Sequence, residues 1–554
     1  MPDQSPSASA PIGERRRSGE PRRTVVVHLR RAAQPTRVWA PLDAFLYNVM
    51  TTNVVVSLCL LTVAGVPFYF PVTSLVAAIL IAGAFCVAEA LIYAFLVSSM
   101  PRNGGDYIYQ SRLVSKWLGA TLTLVGIVGG GALWMAMAGW FASRVAVGPF
   151  FILLGGAVDV VPLVKAGEWI MSPSGVVAMG VAATVWSALL NTMGLSAYAR
   201  LQRLLTAAGA VALVVLIAYF ALTRLNVNES AYSGLLSHAY DLGYRRAGHQ
   251  GGLSASIKLL PIVAVGLIYP GLIAFQAGEL KRASSLAVQS TTIVGGKLVG
   301  ILFALVLLPL VILHMGEQLL GAGAFLAIHD PRAFWILLPR VFSITAAPWV
   351  AWITLVSAGV AVNTWLWIWV PNHTLAASRV LQAMAWDRMM PHWMSRLSPR
   401  HNVPVGAILA FSAVSLVVVA AWPLLGLWGL VVYGTLLSLL TFAGTCLAAA
   451  LYPFMSRELY RESTAARFEV AGVPLVTVLG LVFAGFAGFL TWRYQYFEPL
   501  VEANGIGASL AALGMLYAAS FATCAAFRWS RRSREGANVE IYYRDAREAD
   551  AGER

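Results

Sequence analysis

The chain has 554 residues, 58% of them hydrophobic and only 12% charged, with a formal net charge of +14 and a mean hydropathy of +0.72. A soluble domain carries about 25% charged residues, so a string of soluble domains is excluded. The basic residues gather in tails and short connections, where membrane topology accounts for them, and nucleic-acid binding is set aside.

Residues 1–40, with "GERRRSGEPRR", are expected to be a disordered basic tail. No short apolar core ending at a small-residue cleavage site follows, so the first apolar run is expected to be an uncleaved anchor. Runs without any charge cover 117–143, 347–370 and 423–453. Each exceeds the roughly 20 residues needed to cross a bilayer core. In lipid such runs are helices, because every backbone polar group must be satisfied internally. A barrel would need alternating polarity, which the sequence lacks.

Twelve spans are predicted, near 42–66, 72–99, 115–146, 174–193, 200–223, 257–279, 286–314, 346–372, 404–421, 426–453, 472–492 and 507–528. The fold class expected is therefore an all-α integral membrane protein. One membrane domain covers 41–530, and a second short tail covers 531–554. An even number of spans places both tails on one side. That side collects Arg15, Arg102, Arg112, Arg200, Lys281, Arg379, Arg457 and Arg528 among others, so both termini are expected to be cytoplasmic.

Polar residues inside the spans mark candidate sites. Span one reads "LDAFLYNVMTTNVVVSLCLL", where Asn48, Thr51, Thr52 and Asn53 interrupt an apolar helix. Span six reads "LLPIVAVGLIYPGLIAFQAGELK", where Pro270 lacks an amide hydrogen and Gly271 is permissive. Two interruptions five spans apart point to inverted repeats with a binding site between them. The plainer alternative is a tolerated kink plus interhelical hydrogen bonds.

Glu89 lies well inside span two. It is either a coupling group or a neutral structural acid. Asn363 and Thr364 in span eight are either cation or substrate contacts or, more simply, helix–helix bonds. Lys297 and His314 are expected near the ends of span seven, the lysine snorkelling. "GGG" at 129–131 is expected to allow close helix contact. Cys59, Cys86, Cys446 and Cys524 form no C-x-x-C pair, so neither a disulfide framework nor a zinc site is expected. No H-x-x-x-H and no G-x-x-x-x-G-K-[ST] occurs; no catalytic residue, metal or cofactor is expected.

Four stretches carry a family resemblance. "MPRNGGDYIYQSR" (100–112) is similar to the loop after the second span in the amino acid–polyamine–organocation transporters. "LLNTMGLSAYARLQRLLT" (189–206) resembles that family's entry to span five, and "AFQAGELKRAS" (274–284) its end of span six. "ASRVLQAMAWDRMMPHWMSRLSPRHNVPVGAIL" (377–409) resembles its connection between spans eight and nine. All four occur in the family's order, and the resemblance covers about 42–530.

The resemblance implies a LeuT-type fold: inverted repeats at about 42–223 and 257–453, plus extra helices at about 472–492 and 507–528. It implies a secondary transporter in the plasma membrane, moving an amino acid or related amine by alternating access with a coupling proton or sodium. A polyamine, nucleobase or cation is the alternative cargo, and a membrane-embedded transferase a more distant one. Carried over by position, the substrate site comprises Tyr47, Asn48, Thr51, Thr52, Asn53, Gly266, Tyr269, Pro270 and Gly271, with Tyr269 as an aromatic lid. Glu89, Asn363 and Thr364 are candidate coupling residues. Arg102, Asp106 and Arg112 are candidates for an inner gate, with Asp106 pairing with Arg102, Arg112 or Arg379. Two departures stand out. Span one has no glycine at its break, and Gly209 stands in span five where some proton-coupled members carry a lysine.

Overall fold

The computed structural model describes residues 37–52, 72–222, 252–269, 271–315, 348–494 and 506–535. Among them, ten helices are long and apolar enough to cross a membrane. Span one is described only as the helix Pro41–Thr52, and the expected twelfth span is the helix Ile506–Glu535. Beyond helices, a small hairpin pairs Glu469–Val470 with Val473–Pro474. The all-α membrane class is as expected.

Local chemistry sets several helix starts. Ser115 caps span three by accepting from the Trp117 amide at 3.3 Å, and Ser172 caps span four by accepting from Gly175 at 3.1 Å, with Pro173 in the first turn.

Four spans differ from expectation. Span three runs from Lys116 to Ala157 with π-helical turns at Leu124–Gly129 and Ala142–Ala146. Span eight does not stop near Pro371 but continues as one helix, Pro348–Trp386. Proline cannot donate to the carbonyl four residues back. Here the Trp186 indole donates to that carbonyl, Trp367 O, at 2.8 Å, so the helix loses little by continuing. Spans nine and ten form one helical run, Val405–Met455, with Pro423 inside. A Cβ on Gly130 of span three would stand 3.1 Å from Ser438 Oγ, and one on Gly131 would stand 3.3 Å from the Phe411 ring. In a straight helix residues 411 and 438 lie about 40 Å apart. Adjacent residues of span three touch both, so the run folds back on itself and supplies two crossings.

Spans three and six are the most enclosed, with 78% and 88% of their apolar windows buried, whereas span five has 28%. Leu204, Val211, Val214 and Leu222 on span five are exposed, as a lipid-facing helix requires. The chain just before span one is strapped to the end of span six. The Val38 and Trp39 amides donate to Glu279 O at 3.0 and 3.1 Å, and the Lys281 amide donates to Trp39 O at 2.9 Å.

Candidate functional site

Span six is broken, and earlier than the Pro270–Gly271 pair alone would place it. Its α-helix covers Leu253–Leu267 and is followed by short 3-10 turns at Leu272–Phe275 and Ala277–Glu279. Gly266 sits buried in the last α-turn. Pro270 lies outside the described residues. Gly271 is required by space, since any side chain there would collide with the Tyr93 ring. Tyr269, only 8% exposed, leaves the break toward an aromatic cluster. Its hydroxyl accepts from the Trp134 indole at 2.8 Å, and its ring meets Trp134 and Phe442 edge-on at 5.8 and 5.6 Å. Trp134 in turn lies parallel to His373, which meets Trp369 at 4.7 Å.

Span one remains helical through Thr52, so no interruption falls within its described part; Asn53 lies outside it. Tyr47, Asn48, Thr51 and Thr52 are all buried. Thr51 and Thr52 bond back to the carbonyls of Tyr47 and Asn48, at 2.7 and 3.2 Å, which explains how two threonines sit in a helix without breaking it. Span eight engages the same face. Tyr47 donates to Asn372 O at 3.3 Å, Asn372 donates to Thr51 Oγ1 at 3.0 Å, and Tyr198 donates to Asn372 Oδ1. Asn48 donates to Thr292 O of span seven at 3.0 Å, while its Oδ1 has no hydrogen-bond partner. Gly296 makes this approach feasible: a Cβ there would stand 2.9 Å from Asn48 Cβ.

Of the candidate coupling residues, Glu89 is fully buried in span two and neither carboxylate oxygen has a hydrogen-bond partner. Lys297 is not at an end of span seven. It is 1% exposed, and its ammonium donates to the Leu267 carbonyl, the last of the span-six helix. The snorkelling expectation fails because the broken helix offers an acceptor inside the membrane. Asn363 and Thr364 bond to their own helix, accepted by Gly359 O at 2.9 Å and Val360 O at 2.7 Å. Thr364 packs against Gly209 of span five.

On the side where span two ends, the 101–105 loop docks on the end of span six. Gly104 and Gly105 take φ of 116° and 48°, a region that favours glycine. The Gly104 amide donates to Phe275 O at 3.0 Å. Asn103 donates to Glu279 Oε1 at 2.6 Å and accepts from the Gly278 amide at 2.9 Å. Arg379 clasps the same carboxylate with two bonds, 2.8 and 3.1 Å, and both partners are fully buried. A second pair joins Arg112 to Asp387 at 2.6 Å, with the Tyr107 hydroxyl donating to the same oxygen at 2.9 Å.

Arg112 therefore takes part in a buried ionic contact, but with Asp387. Asp106 pairs with none of the arginines expected for it. It accepts from the Tyr93 and Thr445 hydroxyls, the latter at 2.6 Å. Burial pushes its carboxyl up from the usual 3.8 to about 7, against the lowering effect of those hydroxyls. Arg102 lies half-buried beside this network. Asn103, Glu279 and Asp387 were not among the expected gate residues, and Arg379, expected as a partner of Asp106, pairs with Glu279 instead. Their sequence signal was present in the resembling stretches, but pairing across 100 and 275 residues leaves no periodicity to follow.

No curated protein sequence matches the chain. Among solved structures, it is similar to a nucleobase-cation-symport-1 family transporter in a closed conformation with bromovinylhydantoin bound. That match has 13% identity, covers 84% of this chain and 96% of the other, and has a TM-score of 0.44. The family model described as amino acid permease matches residues 43–519, from the start of span one into the last helix. This is a multi-pass membrane transporter, and the chain belongs to the amino acid permease family.

Proposed function

We propose that the chain is a secondary transporter that carries an amino acid or related amine across the plasma membrane by alternating access. The observation that supports this most strongly is the helix end at Leu267, inside the membrane, with Tyr269 turned into an aromatic cluster. Broken helices hold substrates at the midplane of such folds. The substrate site comprises Tyr47, Asn48, Thr51, Thr52, Asn53, Gly266, Tyr269, Pro270 and Gly271. Within it, the unpartnered Asn48 Oδ1 is a ready acceptor for an ammonium or amide. Tyr47, Thr51 and Thr52 shape the wall through bonds already made.

Glu89 couples transport to a proton in this reading. Thr364 acts by packing against span five and Asn363 by bonding within span eight, and the loop bearing Arg102, Asp106 and Arg112 closes the cytoplasmic face. The basic residues put both termini on that face. The domain layout is a transporter domain over 41–530 between tails at 1–40 and 531–554.

Uptake into proteoliposomes tests the site. Tyr269→Ala and Asn48→Ala should each lower uptake at limiting substrate about tenfold, the effect of losing ~1.4 kcal/mol of binding, at parental expression. Unchanged uptake by both variants rejects the assignment. Glu89→Gln should abolish the gain in accumulation produced by an inward proton gradient. A thermal-shift panel of amino acids, polyamines and nucleobases then identifies the cargo, because ligands that bind the folded state stabilise it. Stabilisation by nucleobases alone would replace the amine reading, as flat rings also stack on aromatic side chains.

A further inference from the structure

The sequence left Lys297 with no role, and the structure gives it an unusual position. Its side chain is among the largest that are fully buried. Its ammonium donates to Leu267 O, where the span-six helix ends and its carbonyls lose their intrahelical partners. An ammonium carries three donors, and one of them is fixed by that bond.

The register of two helices brings Glu89 to the same depth. Span two ends, and span seven begins, on the face where Asn103 bridges Gln276, so the two run antiparallel. A Cβ on Gly83 would stand 3.2 Å from Ile301 Cδ1, which fixes their alignment. Six residues onward from Gly83 is Glu89, and four residues back from Ile301 is Lys297. At 1.5 Å per residue these shifts differ by about 3 Å along the axis. The two groups act on each other electrostatically, with Cys86 beside both. The other titratable groups facing the carboxylate are Tyr93, Asp106, Tyr269 and Cys446.

We propose that Lys297 is a built-in cation that clamps the broken end of span six and lets go by losing its proton. The step is a transfer from Nζ to a Glu89 carboxylate oxygen as the two side chains swing within reach; both carboxylate oxygens are without hydrogen-bond partners here. The ammonium becomes an amine, the carboxylate becomes a carboxylic acid, and no other reactant is needed. The neutral pair leaves Leu267 O without its charged donor, so the segment carrying Tyr269 is free to move. The carboxylic acid returns the proton to Lys297, or to water once one side of the protein opens. Lys297 thereby places on span seven the amine that span five lacks at Gly209. This rests on the alternating-access reading above.

Two measurements on the full-length chain separate the proposal from that reading. The first needs no substrate: the thermal midpoint of the parent, K297R, K297M and E89Q from pH 5 to pH 10. The charged clamp is the stabilising form, so the parent should show a downward step of roughly 2–4 °C as pH rises. K297R should keep any fall below about pH 7 that Asp106 produces but lack this further step, because a guanidinium keeps its proton; it also covers the case in which K297M fails to fold. Parent and K297R profiles of the same shape overturn the proposal. The second uses pyranine-loaded proteoliposomes given a mixture of the twenty amino acids. The parent should acidify the lumen and K297R should not. A Lys297-dependent thermal step without acidification by the parent upholds the clamp and counts against amino acids as cargo. Equal acidification by parent and K297R upholds transport and overturns the clamp.

Discussion

The two ends of the 3-10 segment after Tyr269 are built on opposite principles. Toward the loop face, Glu279 has both oxygens engaged by Arg379 and one also by Asn103, in a fully buried setting. Toward the midplane, Glu89 and Asn48 are just as buried but leave acceptor oxygens without hydrogen-bond partners. A buried polar group without a partner costs free energy. A fold able to satisfy Glu279 three times over has therefore not been unable to find donors; it has placed them selectively. The satisfied end fixes one conformation, and the unsatisfied end keeps valency for a ligand or a proton.

The largest effect is expected from removing one partner at the satisfied end. Arg379→Ala or Glu279→Ala leaves a buried charge uncompensated and should cost about 3–5 kcal/mol, read as a large fall in thermal midpoint and in yield. Removing both partners together should cost less than the two single losses added. Additive losses would mean that the pair does not act as a unit. By contrast, Glu89→Gln at the unsatisfied end breaks no hydrogen bond and should cost less than either single loss at the satisfied end. A large destabilisation would erase the distinction.

Asp106 sits between the two regimes, bonded on one oxygen and open on the other. Between the usual 3.8 and about 7 the unfolded chain holds fewer protons at this site than the folded one, so stability falls as pH rises through that window. The contribution is fully present below about 4 and gone above about 7. Asp106→Asn should flatten this part of the thermal profile measured in detergent. A profile that keeps its slope in the variant assigns the effect to another group.

The smallest effect is expected at Arg203, which bonds Asp43 at 2.7 Å but is 52% exposed on the Arg203 side. Exposed pairs contribute little and are screened by salt. Arg203→Gln should shift the midpoint by no more than the change produced by added salt. A shift matching Arg379→Ala would show that burial does not separate the two classes of pair.

Much of the fold was legible because bilayer thickness imposes its own period: unbroken apolar runs left few choices for the middle spans. Span eight extends past the expected end at 372 to Trp386, and nothing local reveals that Trp186 covers the carbonyl that Pro371 frees. The break in span six was visible as Pro270–Gly271, yet its true start at Leu267 depends on Lys297 as a donor from another helix. Lys297 itself was discounted for the same reason. A lone lysine in an apolar run looks like one that reaches for the surface, unless its acceptor is known to lie inside. Asp106 was misassigned by proximity in sequence to arginines, whereas its hydroxyl partners come from Tyr93 and from Thr445, 339 residues away.

The strap between Val38–Trp39 and Glu279–Lys281 is made of main-chain groups on both sides. It therefore acts as a mechanical linkage whose strength does not depend on which side chains evolution places there. The entry to the first half of the molecule and the exit from the broken helix of the second share one lever. Any tilt of one is delivered to the other without passing through the lipid-facing helices. Proline is the residue able to uncouple that lever at a donor position, because it alone removes the amide hydrogen.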